Sequence, residues 1–120
     1  HAPAGPLDPD ELWQRGVFVY TRKTDTDARI GRHAYTHMQR GGLEDISVDY
    51  VVVDTLRVDR EVFASIIDAW REGYADTVAE HSGLDAGFTH AALEQVAASI
   101  RNPEHYVVWQ VPVLSGRVSR

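Results

Sequence analysis

The sequence predicts an α/β chain of three amphipathic helices and two strands, in the order helix, strand, helix, helix, strand. Three observations carry this. Residues 46–55 hold Val48, Tyr50, Val51, Val52 and Val53, the β-branched and aromatic composition of a strand. Val62, Phe63, Ile66, Ile67, Trp70, Tyr74 and Val78 recur at i, i+3, i+4 and i+7, which predicts one long helix. Residues 106–114 alternate Tyr106, Val108, Gln110 and Pro112 with Val107, Trp109, Val111 and Val113, the pattern of a second strand.

The 120 residues amount to one small domain, and 43% hydrophobic with 25% charged residues is a globular balance. A net charge of −6 provides no field for a phosphate backbone, so general nucleic-acid binding is disfavoured. The same charge disfavours an anionic membrane surface, and no apolar run is long enough to span a bilayer. The chain has no cysteine, hence no disulfide framework, thiolate zinc site or cysteine nucleophile, which fits a cytoplasmic setting. His1 in place of methionine leads us to expect a processed chain, a tag remnant or a fragment.

Taken in order, residues 1–10 carry prolines at 3, 6 and 9 and read as an extended lead-in. Trp13, Val17 and Tyr20 then have helical spacing, but Gly16 interrupts it, and residues 17–20 read equally well as a short strand. Residues 1–26 are thus a lead-in with one unsettled element, and residues 27–118 the body of the fold. Asp25 or Asp27 is expected to cap a helix whose stripe is Ile30, Ala34 and Met38, closed by Arg40, Gly41 and Gly42. Asp59 caps the long helix, expected to end near Glu80. Residues 80–87 read as a turn, and Thr89 as the cap of a helix with Leu93, Val96, Ala97 and Ile100 on one face, stopped by Asn102-Pro103. Ser115-Gly116-Arg117 reads as a tail. Two strands alone make a marginal sheet, so either the N-terminal segment adds a strand or the sheet continues in another polypeptide.

Few residues suggest chemistry. His33 and His37 lie at i, i+4 and share a helix face, but Ala34 stands where the metalloprotease motif needs Glu, so no metal site is expected. Arg29, Arg32 and Arg40 read as a solvated face that balances the Asp-rich loop before them. Asp49 and Asp54 flank the first strand, and solvation at its ends is their expected role. Phe63, Trp70 and Tyr74 share one face of the long helix, where core packing competes with lining a ligand pocket. No GxGxxG, GxxxxGK[ST] or Gly-x-Ser-x-Gly occurs.

One stretch is more informative as a whole. Asp27-Ala28-Arg29-Ile30-Gly31-Arg32, an amphipathic helix, and Arg40-Gly41-Gly42-Leu43-Glu44-Asp45-Ile46-Ser47-Val48 together resemble the C-terminal third of class I S-adenosylmethionine-dependent methyltransferases of the small-molecule type. Val51-Val52-Val53-Asp54-Thr55 resembles that family's sixth strand end, and Tyr106 to Val111 with Ser115-Gly116-Arg117 its last strand. The helix pair at 59–80 and 89–101 is similar to the lid insertion of small-molecule members. The resemblance implies a partial, Rossmann-like sheet, its last two strands antiparallel, with three helices. It implies a parent protein that transfers a methyl group from S-adenosylmethionine to a small molecule. The family's glycine-rich loop and ribose-binding acid are absent, so no cofactor residue carries over and the chain alone is expected neither to bind the donor nor to act as an enzyme. Under the resemblance His33 or His37 is a candidate general base, and Trp70 and Tyr74 are candidate substrate contacts. Partners would be the small-molecule substrate and either a second copy of the chain or the missing N-terminal half. The alternative is a non-catalytic binding or interaction module that self-associates through its sheet edge.

Overall fold

The structure, a computed structural model, describes residues 7–119. The expected lead-in at positions 1–6 lies outside the described residues. Among the described residues there are four helices and a two-stranded sheet, one helix more than the sequence leads one to expect. The fourth helix, α1, covers residues 9–23: Pro9–Glu11, a π-helical stretch Leu12–Val17 and Phe18–Lys23 follow one another without a break. The others are α2 (Ile30–Arg40), α3 (Arg60–Ser82) and α4 (Ala86–Arg101), and the strands are β1 (Leu43–Asp54) and β2 (Val108–Val118). The chain divides into two compact units, residues 7–28 with 54–108 and residues 29–53 with 109–119.

The first unit is a three-helix assembly. Asp8 caps α1 by accepting the Asp10 N–H at 2.9 Å, and Pro9 occupies the first helical position, where no N–H is needed. Asp10 and Glu11 in the first turn and Arg22 and Lys23 in the last complement the helix dipole. Gly16 is a contact point and not a break. A Cβ there would sit 3.1 Å from both Val78 and Leu84 side-chain carbons, so any larger residue would have to push them back by a few tenths of an ångström to keep α1 this close to α3 and the turn after it. Leu7 is fastened to α4 by a reciprocal pair, its N–H to Gln95 Oε1 at 2.8 Å and its carbonyl from Gln95 Nε2 at 2.6 Å.

Helices α3 and α4 form an antiparallel hairpin. Asp59 caps α3 by accepting the Val62 N–H at 3.0 Å, as its sequence position predicts. Gly83, in the left-handed region at φ 78°, ends it and returns its N–H to Ala79 at 2.9 Å. The cap of α4 is Asp85, which accepts the Phe88 N–H at 3.0 Å, so the helix begins inside the stretch that reads as a turn. Thr89 does not cap; it is buried in the hairpin, its hydroxyl within reach of the Ala75 and Ala86 carbonyls. The core joins Phe63 and Ile67 of α3, Leu93, Ala97 and Ile100 of α4 and Leu12 of α1, with Ala64, Ala75, Ala79 and Ala92 permitting close approach of the helices. The apolar face of α3 is narrower than its pattern suggests: Val62 and Ile66 are exposed, Trp70 is half-buried and Tyr74 is 54% exposed.

In the second unit, α2 packs on the sheet. It starts at Ile30 with no side-chain cap, later than Asp25 or Asp27 would start it. Asp25 instead takes a left-handed conformation, φ 54°, and Thr26 returns its N–H to Thr21, which closes α1. Gly41 and Gly42 end α2 as expected. Asp45 pairs with Arg117 at 2.5 Å and Ser47 Oγ with Ser115 Oγ at 2.7 Å, so a step forward on β1 is a step back on β2 and the sheet is antiparallel. The residues read as a tail therefore extend β2. Gly116 belongs there because a Cβ would meet the Met38 methyl at 3.0 Å and Leu43 at 3.3 Å. Pro112 lies within β2 with its ring against Gly31, and a proline is tolerated because, among the described residues, β2 has a partner strand on one side only.

Candidate functional site

The first unit contains a cavity of about 200 Å³ between its three helices. Leu12, Trp13, Val17, Tyr20 and Thr21 of α1 form one wall, Trp70, Tyr74, Ala75 and Val78 of α3 a second, and Thr89 and Leu93 of α4 the floor. Trp13 and Trp70 meet edge to face, ring centroids 6.4 Å apart and planes at 85°. The irregular turn of α1 supplies part of this wall. A π-helical stretch shifts the side chains after it relative to an α-helix, and such stretches are frequent at functional sites.

The walls offer only apolar atoms, although two threonines line them. The reason is local. Thr21 lies within 3.4 Å of the Phe18 carbonyl, and the Thr89 hydroxyl lies 2.9 Å from Ala86 and 3.1 Å from Ala75 carbonyl oxygens. Both hydroxyls are thus turned to backbone. Among the described residues no Asp, Glu, Lys, Arg or His lines the cavity. The far end of α1 is fixed by an edge-to-face contact of Tyr20 with His81 at 5.3 Å and by Lys23, which donates to the His81 carbonyl at 2.6 Å.

Both residues expected to contact substrate, Trp70 and Tyr74, line this cavity. His33 and His37 do not. They lie on α2 in the second unit, both exposed, their rings edge to face at 6.4 Å. Among the described residues no group of three or more His, Cys, Asp or Glu side chains is arranged to hold a metal ion. No motif in the sequence marks the α1 wall as part of a site. Its signal is the spacing of Trp13, Val17 and Tyr20, which now reads as the pocket-facing side of a helix.

Asp54 is a buried carboxylate with a structural task. It accepts the Leu56 N–H at 3.0 Å, the Arg57 N–H at 2.8 Å and the Tyr106 hydroxyl at 3.1 Å, and it pairs with the Arg57 guanidinium. Burial, the largest single influence, pushes its carboxyl up, but these donors and the Arg57 charge together hold it below the ordinary aspartate value. Burial and then the Asp54 hydrogen bond push the Tyr106 phenol up. With its partners complete, Asp54 locks the exit of β1 rather than offering an acid or base.

No helix among the described residues is long and apolar enough to cross a membrane. Compared with known protein families, curated proteins and solved structures, the chain finds no match.

Proposed function

We propose that the chain is the C-terminal portion of an S-adenosylmethionine-dependent methyltransferase that acts on a small molecule in the cytoplasm, and that its three-helix unit holds the methyl acceptor. The observation that carries this reading is the apolar cavity that gathers Trp70 and Tyr74, in the helices whose sequence resembles the family's substrate-side insertion. The cavity does not suit the donor itself. The ribose hydroxyls and charged amino-acid group of S-adenosylmethionine need polar partners when buried, and these walls present none. On this reading the donor is held by a preceding half, and the acceptor side contributes binding and exclusion of water.

The test has two arms. The coding sequence upstream of His1 is expected to continue with a strand followed by a glycine-rich turn. The protein made from that whole sequence is expected to transfer labelled methyl from S-adenosylmethionine to a small acceptor, with Tyr74→Ala lowering the rate. An upstream sequence with no such turn overturns the proposal.

A second reading, a self-associating module without catalysis, is favoured by the sheet. Its order is β1–β2, so the outer edge of β2 has no partner strand among the described residues, and Val51, Val111 and Val113 are 51%, 43% and 47% exposed.

A further inference from the structure

We infer that the cavity between α1, α3 and α4 binds an uncharged, single-ring aromatic compound, with the ring inserted and a small polar substituent directed outward past Tyr74. The inference deepens the proposed acceptor site. It rests on that reading for its biological sense but not for the binding itself.

Size sets the first limit. A cavity of about 200 Å³ is somewhat larger than the roughly 150 Å³ apolar cavity that accommodates benzene, so it takes one ring with a short substituent. Wall chemistry sets the second. Both lining threonine hydroxyls are spent on backbone carbonyls, and among the described residues no charged side chain lines the space. A carboxylate or ammonium would be desolvated there with no partner, whereas an uncharged ring loses nothing. Ring geometry sets the third. Trp13 and Trp70 already meet edge to face, and Tyr20 and Tyr74 bring further ring edges and faces to the same space, so an aromatic guest gains contacts that an aliphatic one of equal volume does not.

The mouth fits the same guest. Tyr74 lines the cavity and yet is 54% exposed, and Trp70 is half-buried, so two large aromatic side chains stand where a ligand would cover them. The π-helical stretch of α1 lies in the same wall, and such stretches are frequent at functional sites.

The probes are p-cresol, 4-methylcyclohexanol and 4-hydroxybenzoate, titrated into this chain without any methyl donor and followed by the methyl resonances of Leu12, Val17, Val78 and Leu93. We expect saturable 1:1 binding of p-cresol with a Kd on the order of 0.1–1 mM, as befits eight heavy atoms. The cyclohexanol should bind several-fold more weakly and the carboxylate at least about thirtyfold more weakly. Tyr74→Ala, a change at an exposed position that leaves the core intact, should weaken p-cresol about fivefold. Val17→Phe, which fills the cavity from α1, should abolish binding while preserving the remaining spectrum. No saturable shift with p-cresol overturns the inference, and so does equal binding of the carboxylate or the cyclohexanol. Binding here with no methyl transfer by the whole protein would leave the pocket standing and remove the methyltransferase reading; transfer without p-cresol binding would do the reverse.

Discussion

Arg60, the first residue of α3, donates to the main-chain carbonyl of Asn102, the residue that ends α4, at 2.6 Å. The same guanidinium reaches the carbonyls of Ile100 at 2.7 Å and His105 at 3.0 Å. One side chain thus satisfies the Ile100 carbonyl, which the end of the helix leaves without a helical partner, and binds two carbonyls of the turn that follows. It also ties the start of the hairpin to its finish. Arg60→Met should destabilise the chain by about 1–3 kcal/mol, the cost of leaving charge-assisted partners unmade, read as a lower urea midpoint. Arg60→Lys should recover little, because an ammonium cannot span carbonyls that a planar fork reaches together. A lysine variant as stable as the parent would show that charge alone matters there.

Acid should loosen the same unit. Asp54 is held below its ordinary value in the folded chain, so its contribution is complete above the ordinary carboxylate range and is lost as pH falls through the folded value. Glu61 and Asp68 are held low as well, first by hydrogen bonds from Arg101, and add to the same acid limb. Asp54→Asn should therefore flatten only part of the fall in stability on acidification, followed by urea unfolding at a series of pH values. Moderate salt should reduce the part due to the more exposed Glu61–Arg101 pair. An Asn variant whose pH profile runs parallel to the parent would remove Asp54 as a source.

The aromatic residues of α3 divide into two kinds. Phe63 is fully buried, so Phe63→Ala should cost about 3–5 kcal/mol, enough to unfold much of a chain with so small a core. Trp70 is half-buried against Trp13, and its truncation should leave a folded chain with a lower melting temperature. Circular dichroism of the two variants decides the matter, and a cooperative melt for Phe63→Ala near the parent temperature would contradict the assignment of the core.

Gly16 shows where sequence and structure part. The spacing of Trp13, Val17 and Tyr20 is legible as a helix, but a glycine within it and the β-branched Val17 and Val19 beside it argue locally for something else. The deciding interaction is tertiary: the close approach of Val78 and Leu84, which no local rule can reveal. Thr89 and Asp85 teach the same lesson at a boundary, since both are good caps and only the burial of Thr89 settles which one serves. The long helix, β1 and the start of α3 at Asp59 were legible because periodicity, composition and capping agree there. Half of the pocket was legible in the Trp70–Tyr74 spacing. The other half comes from α1, a helix far away in sequence.

The last expectation concerns the sheet. Strand β2 pairs with β1 along one side, and between residues 106 and 114 it carries no charged side chain, the usual protection of an open edge. Pro112 removes a single donor. On the face that carries Ser47 and Ser115, the antiparallel register sets Val51 opposite Val111, and Val113 lies beside them, all three exposed. Helix α2 touches the other face at its Gly116 end, where Met38 meets Gly116 and Pro112 meets Gly31, and leaves Val48 and Tyr50 of that face exposed. An edge whose one charged side chain, Arg117, is paired with Asp45 near its end, next to an uncovered valine cluster, is a surface that pairs with a like surface, and a two-fold arrangement satisfies both copies at once. The isolated chain should therefore sediment above its 13.4 kDa monomer mass at micromolar concentration and shift further as concentration rises. Val111→Lys, a change at an exposed position, should return it to the monomer without loss of helix content. A single 13.4 kDa species that persists across the concentration series would rule out self-association.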